Sequence, residues 1–126
     1  MKEKFEIYVN YNTKTVFEIE VCDDYGTMIN VFVRTNGFVG QGPLYFNGLN
    51  IKKVIEHVAT MLDTLSGEII LSDDESSDYF IKFLFCENQL VVSGSIGDYN
   101  DNRLCFNFFA DQTVLSLLLN VLKKLV

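Results

Sequence analysis

This sequence predicts an α+β fold: about eight mainly antiparallel strands in a strongly bent sheet with two helices, laid out as a pseudo-duplicated ββββα unit. Three observations lead there. Short runs in which apolar and polar residues alternate recur along both halves of the chain, as half-buried strands require. Two longer runs, starting at Ile51 and Val114, carry apolar residues at helical spacing. The connections between the short runs are brief and rich in Gly, Asn and Asp, which suits antiparallel neighbours.

Lys4 to Val9 alternates Phe5, Ile7 and Val9 with polar residues and opens the series as a first strand. After the turn formers of Asn10 to Thr13, Phe17, Ile19 and Val21 alternate with Glu18 and Glu20, and Asp23-Asp24-Tyr25-Gly26 closes this second strand. Ile29, Val31 and Val33 mark a third, ending at Asn36-Gly37, a pair that tolerates positive φ and favours a tight hairpin. The return strand, Phe38 to Phe46, contains Gly40, Gly42 and Pro43, which predict a bulge or an edge position. Asn47-Gly48-Leu49-Asn50 then opens a helix with Ile51, Val54, Ile55, Val58, Ala59, Leu62 and Leu65 on one face. Ser66-Gly67 ends it, glycine accepting the left-handed conformation without steric cost. Four further strands are expected at Glu68 to Ser72, Tyr79 to Cys86, Gln89 to Ile96 and Arg103 to Phe109.

The last helix is the most apolar element. From Val114 to Val126 only Ser116, Asn120, Lys123 and Lys124 are polar, so a helix covered on several sides and more buried than the first is expected. Asp111 is placed to cap it. A shift of 63 residues, half the chain, carries Ile51, Val54, Ile55, Val58, Ala59 and Leu62 onto apolar positions of this helix, which suggests pseudo-repeats 1–63 and 64–126 within one domain, 1–126.

Composition excludes several classes of function. A chain of 126 residues that is 48% hydrophobic, with 11 Phe, forms a packed core rather than a disordered segment. No apolar stretch approaches the ~20 residues of a membrane span, and the charged start argues for an unexported cytoplasmic protein without membrane partners. The net charge of −7 argues against nucleic acid, whose phosphates call for Lys and Arg. Cys22, Cys86 and Cys105 are odd in number and widely spaced, the pattern of free thiols. The acidity is concentrated: Asp73, Asp74, Glu75, Asp78, Glu87, Asp98 and Asp101 face Lys82 alone between residues 73 and 101.

No residue pattern points to catalysis or to a cofactor. His57 falls on the polar side of the first helix with no nucleophile near it in sequence. Asp98-Tyr99-Asn100-Asp101-Asn102 begins like a calcium loop, but Arg103 stands where such loops need Gly and Phe109 where they need Glu. Asp73 to Asp78 lacks the His or paired carboxylates of a metal cluster, and no phosphate-binding or hydrolase motif occurs. The chain is therefore expected to be neither an enzyme nor a metal or cofactor carrier.

The order of pieces does resemble a known family. Ile29-Asn-Val-Phe-Val33, Gly37-Phe38, a helix ending Leu65-Ser-Gly-Glu-Ile-Ile-Leu71, then Leu90-Val-Val-Ser-Gly-Ser-Ile96 and Arg103-Leu-Cys-Phe-Asn-Phe-Phe-Ala-Asp-Gln-Thr113 before a terminal helix, together resemble the WapI family of bacterial immunity proteins. The similarity spans Thr27 to Leu125, and Asp111-Gln112-Thr113 is its sharpest piece. It implies a protein that neutralises the toxin domain of a wall-associated polymorphic toxin passed between neighbouring cells, with that toxin as partner. Alternative readings are a small-molecule carrier with an apolar pocket, and a subunit that pairs with itself through the apolar last helix, as a monomer or weak homodimer in solution.

An acidic inhibitor suits a basic nuclease toxin. The partner surface is accordingly expected at Asp73, Asp74, Glu75, Asp78 and Tyr79 and at Asp98, Tyr99 and Asp101, with Asp23-Asp24-Tyr25 as a further candidate. Reversal of Asp73, Asp74 and Glu75 to Lys is expected to slow association without disturbing the fold.

Overall fold

The computed structural model describes residues 2–10, 13–22, 26–35, 37–97 and 103–126. Four strands, β1 (Lys2–Asn10), β2 (Thr13–Cys22), β3 (Gly26–Thr35) and β4 (Phe38–Phe46), lead into helix α1 (Ile51–Thr64). Four more, β5 (Glu68–Ser72), β6 (Phe80–Cys86), β7 (Gln89–Gly97) and β8 (Arg103–Ala110), lead into α2 (Thr113–Lys124). The fold is α+β with every strand pair antiparallel, and the ββββα order repeats.

The strands divide between two four-stranded meanders, β1-β2-β3-β4 and β5-β6-β7-β8, rather than forming one bent sheet. The break has a physical cause at β4. Tyr45 sends its N–H outward, away from β3, to an Asp73 carboxylate. Strand geometry points the backbone of Pro43, two residues earlier, in the same direction, and proline has no N–H to offer a further strand. An edge position was one of the two expectations for β4; the other, a bulge, is absent, since its register with β3 runs unbroken from Thr27↔Phe46 to Thr35↔Phe38.

The inner faces of the two sheets meet in a shared core. Phe5 stacks on Phe17 at 5.0 Å, and Phe17 in turn meets Phe83 of the second sheet at 6.0 Å, so one aromatic chain joins the layers. Such ring pairs contribute about 0.5–1.5 kcal/mol each beyond the area they bury. The outer face of the first sheet is wet and held by cross-strand ion pairs, Lys2 with Glu18 and Glu20, and Lys14 with Glu6.

Both helices close the core, and α2 is the more buried: Val114, Leu115, Leu118, Val121 and Leu122 face inward, against Ile51, Val54, Val58 and Met61 in α1. Coverage of α2 on several sides does not occur, because Leu117 is 43% exposed beside Ser116 and Asn120. This also breaks the 63-residue correspondence, which would match buried Val54 with exposed Leu117. By burial, Val54, Val58 and Met61 correspond to Val114, Leu118 and Val121 instead. No helix of the described residues is long and apolar enough to cross a membrane.

Local signals decide the ends. Asn50 caps α1, its side-chain oxygen accepting from Lys53 N at 3.2 Å. The left-handed turn that ends α1 falls first on Leu65 (φ 50°) and only then on Gly67 (φ 94°), two residues earlier than glycine alone suggests. The Asp111 carboxylate accepts from Thr113 N at 2.9 Å while its carbonyl accepts from Val114 N, so Asp111 serves the start of α2 although the formal cap is Gln112.

The β6–β7 hairpin turns through Glu87 (φ 52°) and Asn88 (φ 67°) between the paired Cys86 and Gln89, a type I′ turn. Asn bears the left-handed conformation more readily than Glu. Glu87→Asn should therefore stabilise the fold by about 0.5 kcal/mol, read as a thermal midpoint raised by roughly 2 °C.

Candidate functional surface

β4 lies across the loop end of the second sheet, and its glycines make this possible. A Cβ on Gly40 would come within 2.5 Å of the Leu104 side chain, and one on Gly42 within 2.9 Å of the Gly97 backbone. Further along, Tyr45 N donates to Asp73 Oδ1 at 2.6 Å, Asp74 N donates to Tyr45 O at 2.9 Å, and Asn47 N donates to Asp74 Oδ2 at 2.5 Å. In passing from Gly40 to Asn47, β4 thus crosses from β8 over β7 to the loop after β5. Those close approaches need small residues, a requirement the Gly-x-Gly-Pro spacing carries without naming the partner strand.

This arrangement sorts the expected partner-binding residues. Asp73 is only 5% exposed; besides Tyr45 N its carboxylate accepts from Ser76 N at 3.1 Å. It holds the two sheets together and is not a surface for a partner. Asp74 is exposed but shares that joining role. The expectation that reversal of Asp73, Asp74 and Glu75 leaves the fold intact is corrected accordingly: a lysine at buried Asp73 would present a donor to two backbone donors. Tyr79 is half-buried against the core, with its carbonyl accepting from Asp73 N at 2.9 Å, so it is a packing residue rather than an exposed anchor. Glu75 and Asp78 remain on the surface.

Asp98, Tyr99 and Asp101, with Asp23, Asp24 and Tyr25, lie outside the described residues. The strand ends that flank them are described. Gly97 and Arg103 pair with each other at the same end of the second sheet as Ser72 and Phe80, which border the Asp73–Asp78 loop. Cys22 and Gly26 pair at the end of the first sheet where β4 exits, and a Cβ on Gly26 would meet Phe46 O. The strand ends that flank the two acidic connections therefore lie at one end of the second sheet.

Exposed apolar residues along β4 went unnoticed in the sequence. Phe38 is 68% exposed, Val39 63% and Tyr45 41%. Phe38 and Val39 border a cleft of about 310 Å³ shared with Gly97, Arg103 and Leu104. Arg103 is held in place there, its Nε donating to the buried Ser95 Oγ at 2.8 Å. The signal for exposure was present in Asn36-Gly37: residues beside a hairpin tip have few neighbours. His57 is exposed on α1, as its place in the helical pattern implies, and among the described residues no group of three His, Cys, Asp or Glu is gathered for a metal. No family model, curated protein or solved structure matches the chain.

Proposed function

We propose that this chain is an immunity protein, which binds a cognate toxin domain of basic surface, such as a nuclease, and blocks its action. The observation that carries the reading is the convergence along β4. Exposed Tyr45 bonds to the start of the Asp73–Asp78 loop, while exposed Phe38 and Val39, at the other end of β4, border Gly97 and Arg103, the strand ends from which residues 98–102 depart. Aromatic and aliphatic anchors rimmed by charge are what protein interfaces use. The net charge of −7 favours encounter with a basic partner. The resemblance to the WapI immunity family supplies the class of partner. A carrier of small apolar molecules finds less support, because Phe5, Phe17 and Phe83 fill the space between the sheets.

Protection is the test. Cells producing a toxin domain encoded beside this gene should survive when the chain is co-produced, and the absence of such a domain, or arrest that persists at equal abundance of the two proteins, would overturn the reading. For the surface, Glu75→Lys with Asp78→Lys should slow association with that domain roughly tenfold at low salt and flatten its salt dependence. An unchanged association rate removes the loop from the interface.

A further inference from the structure

Two four-stranded sheets present four edges, and each has a neighbouring segment. On β4, Pro43 and the Asp73–Asp74 bonds occupy the outward side. β1 lies against α2 and β8, and β8 against β1. The fourth edge, β5, has the start of α1 beside it, across a cleft. Gly67 O accepts from Phe85 N, and Asp73 N donates to Tyr79 O, so the odd-numbered residues between them turn their backbone toward β6. The N–H and C=O groups of Glu68, Ile70 and Ser72 consequently point away from the sheet. Among the described residues no backbone bond from another segment reaches them.

β5 is short and begins with a charge, Glu68, but Glu-Ile-Ile-Leu-Ser contains no Pro or Lys, and its register with β6 runs without a bulge. A groove runs alongside it. Two clefts of about 390 and 430 Å³ share Leu49, Ile70 and Leu71 and separate the strand from the start of α1. Ile70, at the middle of the strand, is 48% exposed.

We propose that β5 pairs antiparallel with β5 of a second copy of this chain, about a two-fold axis at Ile70, joining two second sheets into one continuous eight-stranded sheet. The strand is self-complementary in that register. Ile70 meets its own counterpart, Ile69 faces Leu71, and Glu68 faces Ser72 instead of another Glu68, where like charges would repel. Pairing would satisfy the outward groups of Glu68, Ile70 and Ser72 with about six hydrogen bonds. Local charge permits the approach despite a net charge of −7: Glu68 is neutralised by Lys82 at 3.3 Å, and Lys53 lines the same groove. A five-residue edge, roughly 17 Å long, buries less than a standard interface, so a weak, reversible dimer is expected.

This proposal is independent of any toxin and is tested on the chain alone. Sedimentation equilibrium should show a reversible dimer that tightens as salt rises, because screening relieves repulsion between like-charged copies; binding to a basic toxin would weaken instead. Ile70→Lys, at an exposed position, should raise the dissociation constant at least tenfold while circular dichroism stays unchanged. Ile70→Pro, which removes only an outward N–H, should do the same. Leu117→Lys, on the exposed side of α2, should leave the dimer intact. Amide exchange at Ile70 should slow with protein concentration, whereas exchange at Ile69 and Leu71, bonded within the sheet, should not. A chain that stays monomeric up to about 1 mM, or a dimer that ignores Ile70→Lys and yields to Leu117→Lys, overturns the proposal.

Discussion

Leu118→Asp should leave little folded protein. Leu118 is 2% exposed on α2, the helix that closes the core against α1 and β1. The substitution removes a packed aliphatic side chain, which costs about 2–5 kcal/mol by itself, and puts a carboxylate where no partner can pair with it. A domain of this size has only about 5–15 kcal/mol in total, so the loss takes most of the margin. Leu117→Asp, one residue earlier but 43% exposed, should stay within about 0.5 kcal/mol of wild type. Thermal melts followed by circular dichroism separate the two. Should the Leu118 variant melt within a few degrees of wild type, α2 is not central to the fold.

The contrast between these neighbours also shows how far the sequence could be read. Alternation located the strands, because burial of Phe17 and Ile19 against partial exposure of Glu18 and Glu20 is a local property with a fixed period. Helical spacing likewise located α2, but Leu117 has the same hydropathy as Leu118, and only the packed neighbours decide which of them is covered. Pairing between sheets was less legible still. Gly40, Gly42 and Pro43 signalled an edge, yet nothing in β4 says that Gly42 will rest against Gly97 or that Tyr45 will bond to Asp73, 28 residues away. The sequence suggested one strongly bent sheet for all eight strands. The long connection through α1 leaves β5 free of β4, and the two ladders form separately.

The acidic loop was the most misleading stretch for the same reason. A run of Asp-Asp-Glu reads as solvated or as a docking site, since isolated carboxylates are almost never buried. Burial became possible at Asp73 because backbone donors on two segments, Tyr45 N and Ser76 N, converge on one carboxylate, and that convergence exists only in the folded chain.

Asp73→Ala should accordingly be among the most damaging changes available to a charged residue here. It orphans Tyr45 N, a buried donor leaves about 1–3 kcal/mol unrecovered, and bonds to a charged acceptor are worth about 1.5–3 kcal/mol each. A loss of about 3 kcal/mol is expected in urea titrations, with the slope preserved if the two sheets still unfold together. Asp73→Asn retains one acceptor oxygen but aims an amide N–H at one of the two donors, so its cost should fall between wild type and Asp73→Ala. Asp74→Ala, whose carboxylate meets a single N–H at an exposed site, should cost no more than about 1 kcal/mol. A stability order with Asp73→Ala lowest, Asp73→Asn next and wild type highest follows from a carboxylate that accepts from both segments at once. Equal midpoints for Asp73→Ala and Asp74→Ala would mean that the joint between β4 and the β5–β6 loop is held by the Asp74 N–Tyr45 O bond and apolar packing instead.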